Sequence, residues 1–219
     1  MNRRLTLLAA LALTAAAALS LSACGSDDSF KGKVNDKIAG SDTGSEAPVF
    51  PSPSASDSAG RPKITFPPDA KNVFEYQKSG DAVKDAALAD STLSVNSVDE
   101  AIFEGSADTK ALGFYNTDKA LSGSITYVLG YIKKNHTWVG ETRYFDYKVT
   151  VPGGGGVYVT YCSDESKSFI KNKKTGKIQN TPTTANSYVL YNTKLAKNAE
   201  GVWQTTAVAS NRGNKACQP

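Results

Sequence analysis

The chain has 219 residues, 40% of them hydrophobic and 21% charged, with three cysteines, a single histidine and a single methionine. Lys plus Arg exceed Asp plus Glu by 25 to 21, and the formal charge of +4 falls to about +2 without Arg3 and Arg4, too little for a nucleic-acid-binding surface. So few histidines and cysteines also exclude a His-rich zinc site, a paired zinc knuckle or a multi-cysteine cluster, and neither metal nor cofactor is expected.

The first element is an export signal over residues 1–23. Asn2-Arg3-Arg4 is a positive start, Leu5 to Leu21 is almost all Leu and Ala, and small residues lead to Cys24. A transmembrane helix needs about 20 apolar residues, and this run is a little short and flanked at once by Gly25-Ser26-Asp27-Asp28. Leu21-Ser22-Ala23-Cys24 resembles the bacterial lipobox. That resemblance implies that Cys24 becomes a lipidated N-terminus carrying fatty acyl chains. It places the protein on the outer, extracytoplasmic face of the cell membrane, with the membrane itself as a partner. Two acyl chains, at roughly 0.8 kcal/mol per buried methylene, anchor stably.

Residues 24–68 are then expected as a tether. Gly, Ser, Asp and Pro dominate, most densely from Pro48 to Ser58, and such a composition buries too little apolar surface to offset ordering. As a flexible coil it spans roughly 35 Å. Phe66 is the tether side chain expected to dock on the adjoining domain.

Residues 69–219 are expected to form one domain. An Ala-rich helix runs from Asp81 to about Glu104, with Leu88, Val95, Val98 and Ile102 on one face and Gly105 as its stop. Ser91, Thr92, Ser94, Asn96 and Ser97 are mediocre helix formers, so pattern rather than propensity carries this helix. A short turn spans Thr109 to Tyr115. Asn116 or Thr117 then caps a helix with the face Leu121, Ile125, Val128, Leu129 and Ile132, ending in Lys133-Lys134. After His136 the period becomes two. Phe145, Tyr147, Val149 and Val151 alternate with Tyr144, Asp146, Lys148 and Thr150. A turn at Pro152 to Gly156 leads into Val157, Val159 and Tyr161, with Cys162 ending that strand. Two more strands cover Ser187–Tyr191 and Val202–Val208. Helices followed by antiparallel strands make an α+β fold.

With Cys24 taken by lipid, Cys162 and Cys217 are an even pair in an exported chain and are expected to form a disulfide, stabilising by roughly 4 kcal/mol through loop closure. The rival reading is a reactive thiol beside His136, which needs a third orienting group.

Asp108-Thr109-Lys110-Ala111-Leu112-Gly113-Phe114-Tyr115, Val159-Thr160-Tyr161-Cys162-Ser163-Asp164 and Asn198-Ala199-Glu200-Gly201-Val202-Trp203 before a terminal cysteine resemble the small secreted lipoproteins of actinobacteria with an NTF2-like (cystatin-like) domain. The resemblance implies an NTF2-like cone, with N-terminal helices packed on a curved antiparallel sheet. Tyr161 stands where that group usually has an Asp. The resulting expectation is a non-catalytic binding or interaction module of the cell envelope, its partner an envelope protein or a small ligand, with Asp164, Tyr147 and Trp203 as candidate ligand-binding residues. The alternative is an NTF2-like isomerase, dehydratase or hydrolase, for which Asp146, Asp164, His136, Tyr127, Tyr131 and Tyr147 are on offer. Asp146 is expected to face solvent, and no catalytic constellation can be assembled. Lys167, Lys171, Lys173, Lys174 and Lys177 read as a cluster around one turn, either an anion-binding patch or a solvated loop.

Overall fold

The computed structural model describes residues 60–219. The export signal, Cys24 and the tether as far as residue 59 lie outside the described residues. Strand β1 (Ala70–Phe74) is followed by helices α1 (Ala82–Glu104), α2 (Lys110–Tyr115) and α3 (Asp118–Lys133). Strands β2 (His136–Thr150), β3 (Gly156–Asn172), β4 (Ile178–Gln179), β5 (Tyr188–Lys197) and β6 (Trp203–Arg212) complete the order. The sheet runs β1-β2-β3-β5-β6, with β4 pairing β3. The helices pack on its inner face, giving an α+β cone that is not closed at its edges. One feature differs from an antiparallel sheet: β1 adds to β2 in parallel, Ala70 opposite Gly140 through Phe74 opposite Tyr144. Nothing in a five-residue run reveals a parallel partner so far along the chain.

The helix ends follow local chemistry. Asp81 accepts hydrogen bonds from the Val83 and Lys84 amides, satisfying two otherwise orphaned donors of α1. Gly105, at φ +74°, ends the helix in the left-handed conformation that glycine adopts freely. Thr109 caps α2 through the Leu112 amide. In α3, Val128 is fully buried, and Leu121, Ile125 and Ile132 pack beside it. Leu129, expected on that face, is instead 49% exposed, because its place in the helical turn carries it off the packed stripe.

The strands correct the alternation at one residue. The β2–β3 register shifts between Phe145 and Lys148, and Asp146 sits there at φ +54°. This bulge inserts one residue, so Tyr144 and not Phe145 shares the inner face with Tyr147 and Val149. Phe145 lies on the outer face, its ring 4.1 Å from the Arg143 guanidinium carbon. Nor does Cys162 end a strand: β3 continues to Asn172, so Lys167 and Lys171 lie in the strand, and Lys173, Lys174 and Lys177 lie in the turn that follows it. Gly140, at φ +99°, has no room for a side chain, since a Cβ there would lie 2.1 Å from the Lys167 carbonyl oxygen.

Cys162 and Cys217 are joined, with Cα atoms 5.5 Å apart. The bond holds the C-terminal turn against the outer face of β3. The end of the expected tether, residues 60–68, lies along the domain: Arg61 pairs with the buried Asp90, the Thr65 amide donates to Glu100 at 2.8 Å, and Phe66 packs edge-on against Phe103 and Trp138.

Candidate functional site

Between α1, α3 and the inner face of the sheet lies a cavity of about 670 Å³. Its floor is aromatic because β2, β3 and β5 turn Tyr144, Tyr161 and Tyr191 inward at neighbouring positions. Tyr161 and Tyr191 stack there with centroids 5.1 Å apart, and the row continues beyond the cavity wall with Tyr147 stacked on Tyr161 at 5.1 Å and Phe74 stacked on Tyr144 at 5.0 Å. Stacking across a sheet stands the rings on edge, which turns their rims toward the helices.

The roof is different. The stretch of α1 above the floor carries Ser91, Ser94, Val95, Val98 and Asp99. These side chains are small, so they leave volume where larger ones would fill it. Their hydroxyls are partly consumed by one buried amide: Ser94 Oγ donates to Asn116 Oδ1 at 2.8 Å, and Asn116 Nδ2 donates to Ser97 Oγ and to the Leu112 carbonyl, each at 3.0 Å. This cluster ties α1 to the α2–α3 corner and leaves no polar cost behind it.

Asp99 is the chemically distinctive residue. Trp138 Nε1 donates to its Oδ1 at 3.0 Å, and Asn72 Nδ2 donates to its Oδ2 at 2.7 Å. Both donors are neutral. Asp99 is half-buried, and its open side is toward the cavity. Burial raises its carboxyl to about 7, against the two hydrogen bonds that favour the ionised form, and the Glu165 charge adds to the rise. Burial likewise raises the phenols of Tyr131, Tyr144, Tyr161 and Tyr191, and the Asp99 charge adds to each. They are therefore neutral at physiological pH.

The mouth carries a second carboxylate, already matched. Arg212 grips Glu165 through two bonds of 2.7 and 3.2 Å and donates also to the Asn186 carbonyl. Tyr127, 52% exposed, stands at the same opening with its hydroxyl 3.2 Å from that of Tyr131.

The residues singled out from sequence lie elsewhere. Asp164 faces outward on β3 opposite Arg143. Burial alone would lift its carboxyl, but the Ser166 amide and hydroxyl and the Arg143 charge hold it below the ordinary range. Trp203 is buried in the closed end of the cone with Leu195 and Val157, and its Nε1 has no hydrogen-bond partner among the described residues. Tyr147 stacks on Tyr161 and edges a separate cleft with Tyr76, Asp85 and Asp146. Its buried hydroxyl is also without a partner among the described residues. These three are not brought together. Asp146 is exposed, and His136 opens β2 away from the cavity wall. Of the named tyrosines, Tyr127 and Tyr131 do reach the cavity. Asp99 is the residue that sequence reasoning misses, although it lies four residues after Val95 and three before Ile102, on the face of α1 that the apolar spacing marks. Among the described residues no group of His, Cys, Asp and Glu is placed to hold a metal ion.

No protein-family model matches the chain, and no curated protein matches it either. Solved structures resemble it in outline. A ketosteroid isomerase-like protein from Erwinia carotovora atroseptica is 16% identical with a TM-score of 0.40, over 60% of this chain and 97% of its own. A candidate ketosteroid isomerase from Shewanella frigidimarina is 14% identical with a TM-score of 0.33, over 59% of this chain and 98% of its own. The intermembrane space region of the chloroplast protein ARC6 is 9% identical with a TM-score of 0.38, over 63% of this chain and 99% of its own. The chemistry of the cavity rests on its own geometry.

Proposed function

We propose that the protein is an extracytoplasmic lipoprotein, anchored through Cys24, whose cone binds a small, partly apolar ligand. The observation that carries the binding reading is the open cavity of about 670 Å³ with Asp99 aimed into it. The volume is typical of small-molecule sites, as is an aromatic lining with few polar groups. Among the described residues no helix is long and apolar enough to cross a membrane, and support for the anchor comes from the signal and the lipobox-like Leu21-Ser22-Ala23-Cys24 alone.

The binding reading is tested on the full chain in neutral detergent, by thermal shift against a panel of alicyclic and aromatic compounds. At least one compound should raise the melting temperature, and Val98→Trp, which fills the cavity from its wall, should abolish that rise while the variant still melts cooperatively. No stabilisation by any compound overturns the reading. For the anchor, Cys24→Ser should abolish incorporation of labelled fatty acid; unchanged incorporation would refute it.

A second reading, acid–base catalysis on that ligand, has one specific observation in its favour. A carboxyl titrating near 7 is suited to take a proton from a bound carbon acid and return it at another atom. Deuterium uptake by added enolisable ketones, lost in Asp99→Ala, would establish it.

A further inference from the structure

We infer that the cavity is built for an organic cation, a protonated or methylated amine carried on an apolar ring or chain, with Asp99 as its counter-ion. The inference rests on the reading of the cone as a small-ligand site and specifies what that site takes.

The first ground is the pairing of charges. Asp99 receives only neutral donors, the Trp138 indole and the Asn72 amide, and among the described residues no Lys or Arg forms an ion pair with it. Each carboxylate oxygen accepts one of these bonds and keeps acceptor capacity for another. A carboxylate in such surroundings is costly unless a cation joins it. The neighbouring carboxylate shows the contrast, since Glu165 has Arg212 on two bonds. The chain thus supplies a counter-ion at the mouth and omits one inside.

The second ground is the rest of the wall. The inward groups around Asp99 are phenols of Tyr131, Tyr144, Tyr161 and Tyr191, the Trp138 indole, and the hydroxyls of α1. Burial keeps the phenols neutral. Phenol and hydroxyl oxygens accept from an ammonium. An anionic ligand finds the reverse. Arg212 is engaged by Glu165 and the Asn186 carbonyl, and Lys119 is exposed at the rim.

The groups facing Asp99 leave it as the residue that tunes such binding around neutral pH. Tyr127 and Tyr131 come from α3, Tyr144 from β2, Tyr161 and Glu165 from β3, Tyr191 from β5 and Arg212 from β6. The phenols ionise far higher, and Glu165 is matched by Arg212. Protonation of Asp99 would remove the counter-ion, so affinity for a cation of fixed charge should fall as the solution is acidified.

The test compares three probes with one ring and different charge, titrated calorimetrically into the full chain in neutral detergent at pH 8: cyclohexylamine, cyclohexanol and cyclohexanecarboxylate. The amine should bind about tenfold tighter than the alcohol, as expected for a charge-assisted bond, and the carboxylate most weakly. Asp99→Asn should bring the amine and the alcohol together. An independent arm needs no variant: benzyltrimethylammonium should bind wild type several-fold more weakly at pH 5.5 than at pH 8. Equal or tighter binding of the alcohol or carboxylate, or a pH-independent quaternary ammonium, overturns the cation assignment while leaving a ligand site in place. Failure of all the probes, together with no stabilising compound in the panel, overturns the ligand site itself.

Discussion

Helix α1 is built to one rule at its ends and to another in its middle. Near its start, Ala87 and Leu88 close on Val157, Leu195 and Trp203. Near its end, Ala101 and Ile102 close on Leu112, Val128 and Trp138. Between them Ser91, Ser94, Val95, Val98 and Asp99 face the aromatic floor and leave it uncovered. The two packed ends fix the position of the helix over the sheet, and the small side chains between them leave the middle open. A cavity here is therefore a consequence of small polar residues placed between two well-packed anchors. It is not a packing failure, since the Asn116 cluster satisfies the roof hydroxyls it meets.

Three perturbations separate the packed ends from the open middle. The largest expected effect is on neither. Replacing both Cys162 and Cys217 with Ala releases the loop across the outer face and should cost roughly 4 kcal/mol in chemical denaturation. Ligand-induced stabilisation should survive wherever the variant is folded, because the bond lies on the face opposite the cavity. Loss of binding at full folding would show that the outer face shapes the site. Next is Leu195→Ala at a closed end. The side chain is fully buried, so the loss should be about 3 kcal/mol, again with the cavity intact. A cost below about 1 kcal/mol would mean that this end is not packed as described.

The third perturbation falls on the middle and has a definite pH signature. The Asp99 carboxyl rises from its ordinary value of 3.8 to about 7 in the folded protein. Between those values the native state holds a proton that the unfolded chain has released. This group's contribution to stability is thus greatest at the acid side of the window. It declines as pH rises from about 4 to about 7, and changes no further above it. Asp99→Asn lacks that decline. The variant should gain on wild type as pH is raised from 4 to 8, and taking the difference in denaturation midpoint between the two cancels the other carboxylates. A pH-independent difference would place Asp99 in water rather than in the cavity wall.

Much of the frame is legible in the chain alone. Asp81, Gly105 and Thr109 announce helix ends by local chemistry, and Val128 with Ile125 and Ile132 announces a packed stripe. The serines and threonine of α1 are legible too, as a stretch too poor in helix formers for its pattern. The structure supplies the reason for that mismatch, since Ser94 and Ser97 meet Asn116 and Ser91 lines the cavity. Local rules give way where a site is built. Asp164, Tyr147 and Trp203 have residue types that suit ligands, yet residue type does not say which side chains meet: Asp164 lies opposite Arg143, Tyr147 edges the separate cleft, and Trp203 is packed into the closed end.

By itself the sequence determined the helices, the ends of α1 at Asp81 and Gly105, the order of the main strands and the pairing of the two domain cysteines, because each depends on neighbours in the chain or on a count; the cap expected for α3 is different, since Thr117 makes no side-chain cap hydrogen bond and Asn116 is turned to Ser94 and Ser97. Only the tertiary structure decided the parallel placement of β1, the exchange of Phe145 for Tyr144 on the inner face, and the direction of Asp99. The physical reason is the same in each case. A period of two cannot register the extra residue at Asp146, and a polar residue on an amphipathic helix looks alike whether it meets solvent or an enclosed cavity. Whether Asp99 has a cationic partner depends on side chains from β1, β2, β3 and β6, which meet only in the folded cone.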